Sequence, residues 1–88
     1  MKLLPSLIMF TAAVSACSDP ALRCKNPEGS KAGDYSKTVE ICAEVGNGAS
    51  MCYCWGAGED YCYLVNGNNQ EEFASSCTAE PAWYTESC

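Results

Sequence analysis

Ser50-Met51-Cys52-Tyr53-Cys54-Trp55-Gly56-Ala57-Gly58-Glu59-Asp60-Tyr61-Cys62-Tyr63-Leu64-Val65 is the stretch on which the fold turns. Aromatic and alternating residues fill both of its ends, over 50–55 and 61–65. The glycine-containing connection Gly56-Ala57-Gly58-Glu59-Asp60 joins them, which is the pattern of a β-hairpin. A symmetric pairing sets Trp55 opposite Tyr61, Cys54 opposite Cys62 and Tyr53 opposite Tyr63. Side chains alternate between the two faces of a strand. Cys52, Cys54, Cys62 and Leu64 are therefore expected on one face, and Met51, Tyr53, Trp55, Tyr61, Tyr63 and Val65 on the other.

Helical patterns flank the hairpin. Upstream, the spacing of Tyr35, Val39, Cys42 and Ala43 predicts a helix over about 35–45, with Asp34 or Ser36 as its cap and Gly46-Asn47-Gly48 as its stop. Downstream, after the turn Asn66-Gly67-Asn68, a second short helix is predicted over about 70–77. Asn69 and Glu72 have capping-box spacing there, Phe73 and Cys77 share a face, and Pro81 bars continuation. Residues 17–33 contain Pro20, Pro27, Gly29 and Gly33 and read as a loop arm. Residues 78–88 read as irregular chain or a last edge strand, with Trp83 and Tyr84 packing down. The expected fold is α+β: a small disulfide-rich domain whose antiparallel sheet is built around the hairpin, with two short helices on one face.

Eight cysteines, Cys17, Cys24, Cys42, Cys52, Cys54, Cys62, Cys77 and Cys88, all follow residue 16. Before them, Lys2, the apolar run Leu3 to Val14 and the small residues Val14 and Ala16 read as a secretory signal peptide over residues 1–16, too short to span a bilayer. This leaves one domain over 17–88, secreted into an extracellular, oxidising setting. Val14-Ser15-Ala16-Cys17 also resembles a bacterial lipobox, but lipidating Cys17 would strand one of seven remaining thiols, whereas plain cleavage leaves an even set. A chain this short buries little apolar surface, and disulfides make up the deficit. Cys42 and Cys77 are expected to bond to hairpin cysteines among Cys52, Cys54 and Cys62. Cys17, Cys24, Cys88 and the remaining hairpin cysteine would then tie down the arm and tail.

After residue 16 four cations, Arg23, Lys25, Lys31 and Lys37, face eleven carboxylates, a net charge of −7. Such a surface repels phosphate backbones and anionic lipid heads, so neither nucleic-acid binding nor stable membrane insertion is expected. Histidine is absent. Its absence removes the usual base near neutral pH and the common nucleophile–base pairs, so no enzyme activity is expected. Cysteine zinc ligation is disfavoured by the Cys-x-Cys spacing and the oxidising route, and no metal or cofactor is called for. The carboxylate pairs Glu59-Asp60 and Glu71-Glu72 read as solvated acids in a hairpin loop and a first helical turn. The candidate binding surface is the aromatic set Tyr53, Trp55, Tyr61 and Tyr63, unless the arm or a third strand covers that face and makes it a second small core.

The signal peptide, the even cysteine count, the absence of histidine and the order of Cys42 in a helix, Cys52-Tyr53-Cys54, Cys62, Phe73-x-x-x-Cys77 and Cys88 resemble the small secreted cysteine-rich proteins of filamentous fungi, many of them candidate effectors in virulence. Val39-Glu40-Ile41-Cys42 with Cys52-Tyr53-Cys54 and Cys62 is also similar to killer-toxin-like folds, in which helices lie on one face of an antiparallel sheet. The resemblance implies action outside the producing cell by binding a host or competitor protein or a cell-surface glycan; a monomer is expected. The alternatives are an antimicrobial protein and a small enzyme inhibitor presenting residues 56–60 or 66–69.

Overall fold

The computed structural model describes residues 16–46 and 48–88. The signal peptide read over 1–16 lies, apart from Ala16, outside them, as does Asn47. Six elements follow in order: β1 (Ala21–Lys25), α1 (Lys31–Val45), β2 (Ser50–Cys54), β3 (Glu59–Tyr63), α2 (Gly67–Cys77) and β4 (Tyr84–Ser87). The strands form one antiparallel sheet in the order β2-β3-β1-β4. The α+β architecture around a hairpin is as the sequence led us to expect.

The loop arm is corrected. Its Ala21-Leu22-Arg23-Cys24-Lys25 is a central strand, paired with β3 through Ala21 and Leu22 and with β4 through residues 22 to 25. Leu22 and Cys24 face the helices, while Ala21 and Arg23 face away, the alternation that a strand in mid-sheet requires.

The hairpin register is corrected as well. The connection is residues 55–58, and Cys54 pairs with Glu59, Tyr53 with Asp60, Cys52 with Tyr61 and Met51 with Cys62. Cys54 thus lies three positions from its symmetric partner, and an odd shift exchanges the faces of one strand against the other. Met51, Cys62 and Leu64 now pack under the helices, while Cys52, Cys54, Tyr61 and Tyr63 occupy the opposite face.

Helix α1 begins earlier than its apolar spacing suggests. Ser30, not Asp34 or Ser36, is the N-cap: its side chain accepts from Gly33 N at 3.0 Å. Its buried face is Asp34, Thr38, Ile41, Cys42 and Val45, and Tyr35 is exposed. Two polar residues on the buried side explain why periodicity misplaces that face. Thr38 Oγ1 donates to Asp34 O at 2.8 Å and accepts Cys24 N at 3.0 Å, joining α1 to β1. Gly46 closes the helix at φ 60°, with its N–H on Cys42 O. Helix α2 is capped by Asn66 rather than Asn69, its side chain accepting from Asn69 N at 2.8 Å.

Two apolar clusters result. The larger lies between sheet and helices and contains Cys24, Ile41, Cys42, Val45, Cys62, Leu64, Phe73 and Cys77. The smaller lies on the other face, with Ala21, Cys52, Cys54 and Tyr61 at its centre and Cys17 and Tyr63 at its rim. Four disulfides use every cysteine: Cys17–Cys52, Cys24–Cys77, Cys42–Cys62 and Cys54–Cys88. Cys42 does bond to a hairpin cysteine, but Cys77 bonds to Cys24. The reason is the overlooked strand: β1 places Cys24 on the helix-facing side, beneath α2. Such a framework is that of a small extracellular-type protein. Among the described residues no helix is long and apolar enough to cross a membrane.

Candidate functional site

The four candidate aromatics are divided by the sheet. Tyr61 is fully buried, with Tyr63 at the rim of the same cluster. They belong to a second small core, against which Cys17 of the arm packs; Tyr61 is closed off inside it, while Tyr63 is half-buried at its edge. Tyr53 and Trp55 stand apart at the turn end of the hairpin. Trp55 is 74% exposed, and its ring meets the half-buried Tyr53 edge to face, with centroids 4.7 Å apart and planes at 78°. Trp55 follows Cys54, whose disulfide anchors the strand end. The connection beyond it, Gly56-Ala57-Gly58, carries no bulk that could cover the indole, and Gly58 turns the chain at φ 70°. An exposed ring held by a neighbour and a cross-linked strand loses little freedom on binding.

Behind this tip lies a charge cluster. Glu59, expected as a solvated loop acid, is instead the first residue of β3 and is almost fully buried. Its Oε1 lies 2.8 Å from Arg23 Nε and 3.2 Å from Lys25 Nζ, and its Oε2 lies 3.7 Å from Lys31 Nζ. Arg23, itself buried, also donates to the backbone oxygens of Asp60 and Lys31. Burial alone would raise the Glu59 carboxyl. The Lys25 hydrogen bond and the charges of Arg23, Lys25 and Lys31 outweigh it and hold the carboxyl below its ordinary value. Burial would lower Lys25, yet Glu59 and Glu86 raise it. Tyr61 is pushed up by burial and then by the negative charges of Glu86 and Glu59.

Glu59 is surrounded by cations, and its neighbour Asp60 points to the opposite face of β3. Glu71 and Glu72 are exposed, but they lie on the second turn of α2 and not the first, because the helix already begins at Gly67. Beside β2 a hollow of about 320 Å³ is lined by Ala16, Ser18, Ser50, Met51, Cys52 and Tyr63, which offer hydroxyls but no carboxylate or amine. Among the described residues no group of three or more Cys, Asp or Glu side chains is placed to hold a metal ion.

Compared with protein-family models, with curated proteins and with solved structures, the chain matches none. The site therefore rests on its own geometry. Arg23 is the residue that sequence reading missed. Its signal was the alternation of Leu22 and Cys24 with Arg23 and Lys25, hidden by the prolines on either side.

Proposed function

We propose that the protein is secreted and acts without catalysis, as an effector-like module that binds a host or competitor target outside the producing cell. The observation that carries this reading is Trp55, a large apolar ring at 74% exposure on the tip of a cross-linked hairpin. Single exposed apolar residues are ordinary. A tryptophan buttressed by a tyrosine and anchored by an adjacent disulfide is an affordable anchor for a partner's pocket. The absence of histidine and the engagement of Glu59 by three cations support a non-enzymatic role. The resemblance to fungal secreted cysteine-rich proteins supports the setting.

The test is retention of a partner from host extracellular fluid on the immobilised, disulfide-intact protein. Trp55→Ala is expected to weaken retention by about 30-fold, the loss of about 2 kcal/mol typical of a central anchor, while leaving the melting temperature unchanged. Undiminished retention by the variant places the contact elsewhere. The killer-toxin-like reading draws on a separate observation, the two helices packed on one face of an antiparallel sheet. Inhibition of fungal or bacterial growth at low micromolar protein would favour it.

A further inference from the structure

Cys54 ends β2 and Cys88 directly follows β4, and these are the two edge strands of the sheet. Strands in a flat sheet are about 4.8 Å apart, which would put the edges of four strands about 14 Å from one another. The Cα atoms of Cys54 and Cys88 are 5.7 Å apart. The sheet must therefore curl toward its helix-free face until these two strand ends meet, and the bond between them closes the curl. Inside it lie Tyr61, Cys52 and Ala21, with Arg23 and Glu59 beside them.

We propose that Cys54–Cys88 is a redox-sensitive latch: a small thiol opens this bond before the other three, the curl relaxes and Tyr61 becomes accessible while the rest of the molecule stays folded. Of the eight cysteines, Cys88 alone is exposed; Cys17 is half-buried and the other six are buried. Exchange rates depend on access to the disulfide, and Cys88 is the one cysteine whose residue is exposed. A thiolate attacks Cys88 Sγ, forming a mixed disulfide and releasing Cys54 as its thiolate, which takes up a proton. A second thiolate then attacks the external sulfur of the mixed disulfide, releasing the Cys88 thiolate and forming the oxidised disulfide of the reagent. Two external thiols are oxidised and one protein disulfide is reduced.

The rest of the frame does not depend on the latch. Cys24–Cys77 and Cys42–Cys62 lie in the helix-facing core, and Cys17–Cys52 ties the arm to β2. β4 stays on β1 through four paired positions and the contact of Lys25 with Glu86 at 3.5 Å. What opens is the link between these two strand ends.

The experiment treats the folded, oxidised protein with limiting dithiothreitol. This neutral thiol is chosen because the net charge of −7 after residue 16 repels anionic glutathione. Samples are quenched, alkylated and mapped by mass spectrometry. Cys54 and Cys88 are expected to be labelled first, at least tenfold faster than any other pair, and in that two-thiol species Tyr61 should react with tetranitromethane at least tenfold faster than in the intact protein. Earlier opening of another bond, simultaneous opening of all four, or an unchanged Tyr61 overturns the proposal. A Cys54→Ala, Cys88→Ala variant should fold with its three remaining bonds and a reactive Tyr61. A variant that cannot fold also overturns it, because a latch must be dispensable to the fold.

Discussion

Glu59 shows how far one side chain depends on its neighbours. Removing a partner from a buried ion pair is costly because the other charge is left without compensation, so Glu59→Ala should cost about 3 kcal/mol in urea unfolding with disulfides intact. Its pH dependence has a definite sign. A carboxyl held below its unfolded value of about 4.3 stabilises the fold above that pH, and the contribution is lost as pH falls through the lower folded value. Lys25 works in the opposite sense: raised in the fold, it contributes fully below its unfolded value and loses that contribution as pH rises through the raised one. The melting temperature of the natural protein should therefore drop on acidification below about pH 4, and that of Glu59→Gln should drop less there. Equal drops would show that other carboxylates govern acid unfolding. None of this was legible at Glu59 itself, which sits next to a glycine turn and reads as solvated. The partners Arg23 and Lys25 come from 34 or more residues away, on a strand the prolines conceal.

At the level of elements, what was legible followed local pattern and what was lost followed pairing. The hairpin, both helices and the terminal edge strand show in periodicity and turn residues. The register does not, because Glu59 and Asp60 are as acceptable in a turn as in a strand, and the choice moves Tyr61 from surface to core. The face of α1 was obscured because Asp34 and Thr38 are buried there with hydrogen-bond partners. Thr38→Val keeps the volume but strips the acceptor from Cys24 N–H in the sheet interior. It should cost about 1 to 3 kcal/mol, the desolvation of one orphaned donor, and speed hydrogen exchange at Cys24. Ser30→Ala, which removes the cap of the same helix at an exposed position, should cost only about 1 kcal/mol and leave Cys24 exchange unchanged. The contrast distinguishes a tie between two elements from the termination of one.

For the molecule as a whole, the question is how much fold exists without sulfur bonds. Of the twelve apolar residues buried among the described residues, six are cysteines: Cys24, Cys42, Cys52, Cys54, Cys62 and Cys77. The apolar remainder is Ala21, Ile41, Val45, Tyr61, Leu64 and Phe73, and one of these, Tyr61, brings a buried hydroxyl with no hydrogen-bond partner among the described residues. Six such side chains bury little apolar surface to set against the entropy lost in ordering the chain. The bonds tip this balance chiefly by restricting the unfolded chain, and the one spanning 53 residues, Cys24–Cys77, closes the longest loop. Complete reduction and alkylation should therefore abolish the cooperative melt and the near-ultraviolet dichroism of the buried Tyr61, leaving exchange at β3 amides at the rate of an unstructured peptide. A reduced chain that still melts cooperatively would mean that the helix-facing cluster alone sustains the fold. Opening only the edge bond leaves Cys42–Cys62 and Cys24–Cys77 in place, and with them a melt of reduced but finite enthalpy. Calorimetry of the two-thiol and fully reduced species therefore separates the contribution of the curl from that of the core.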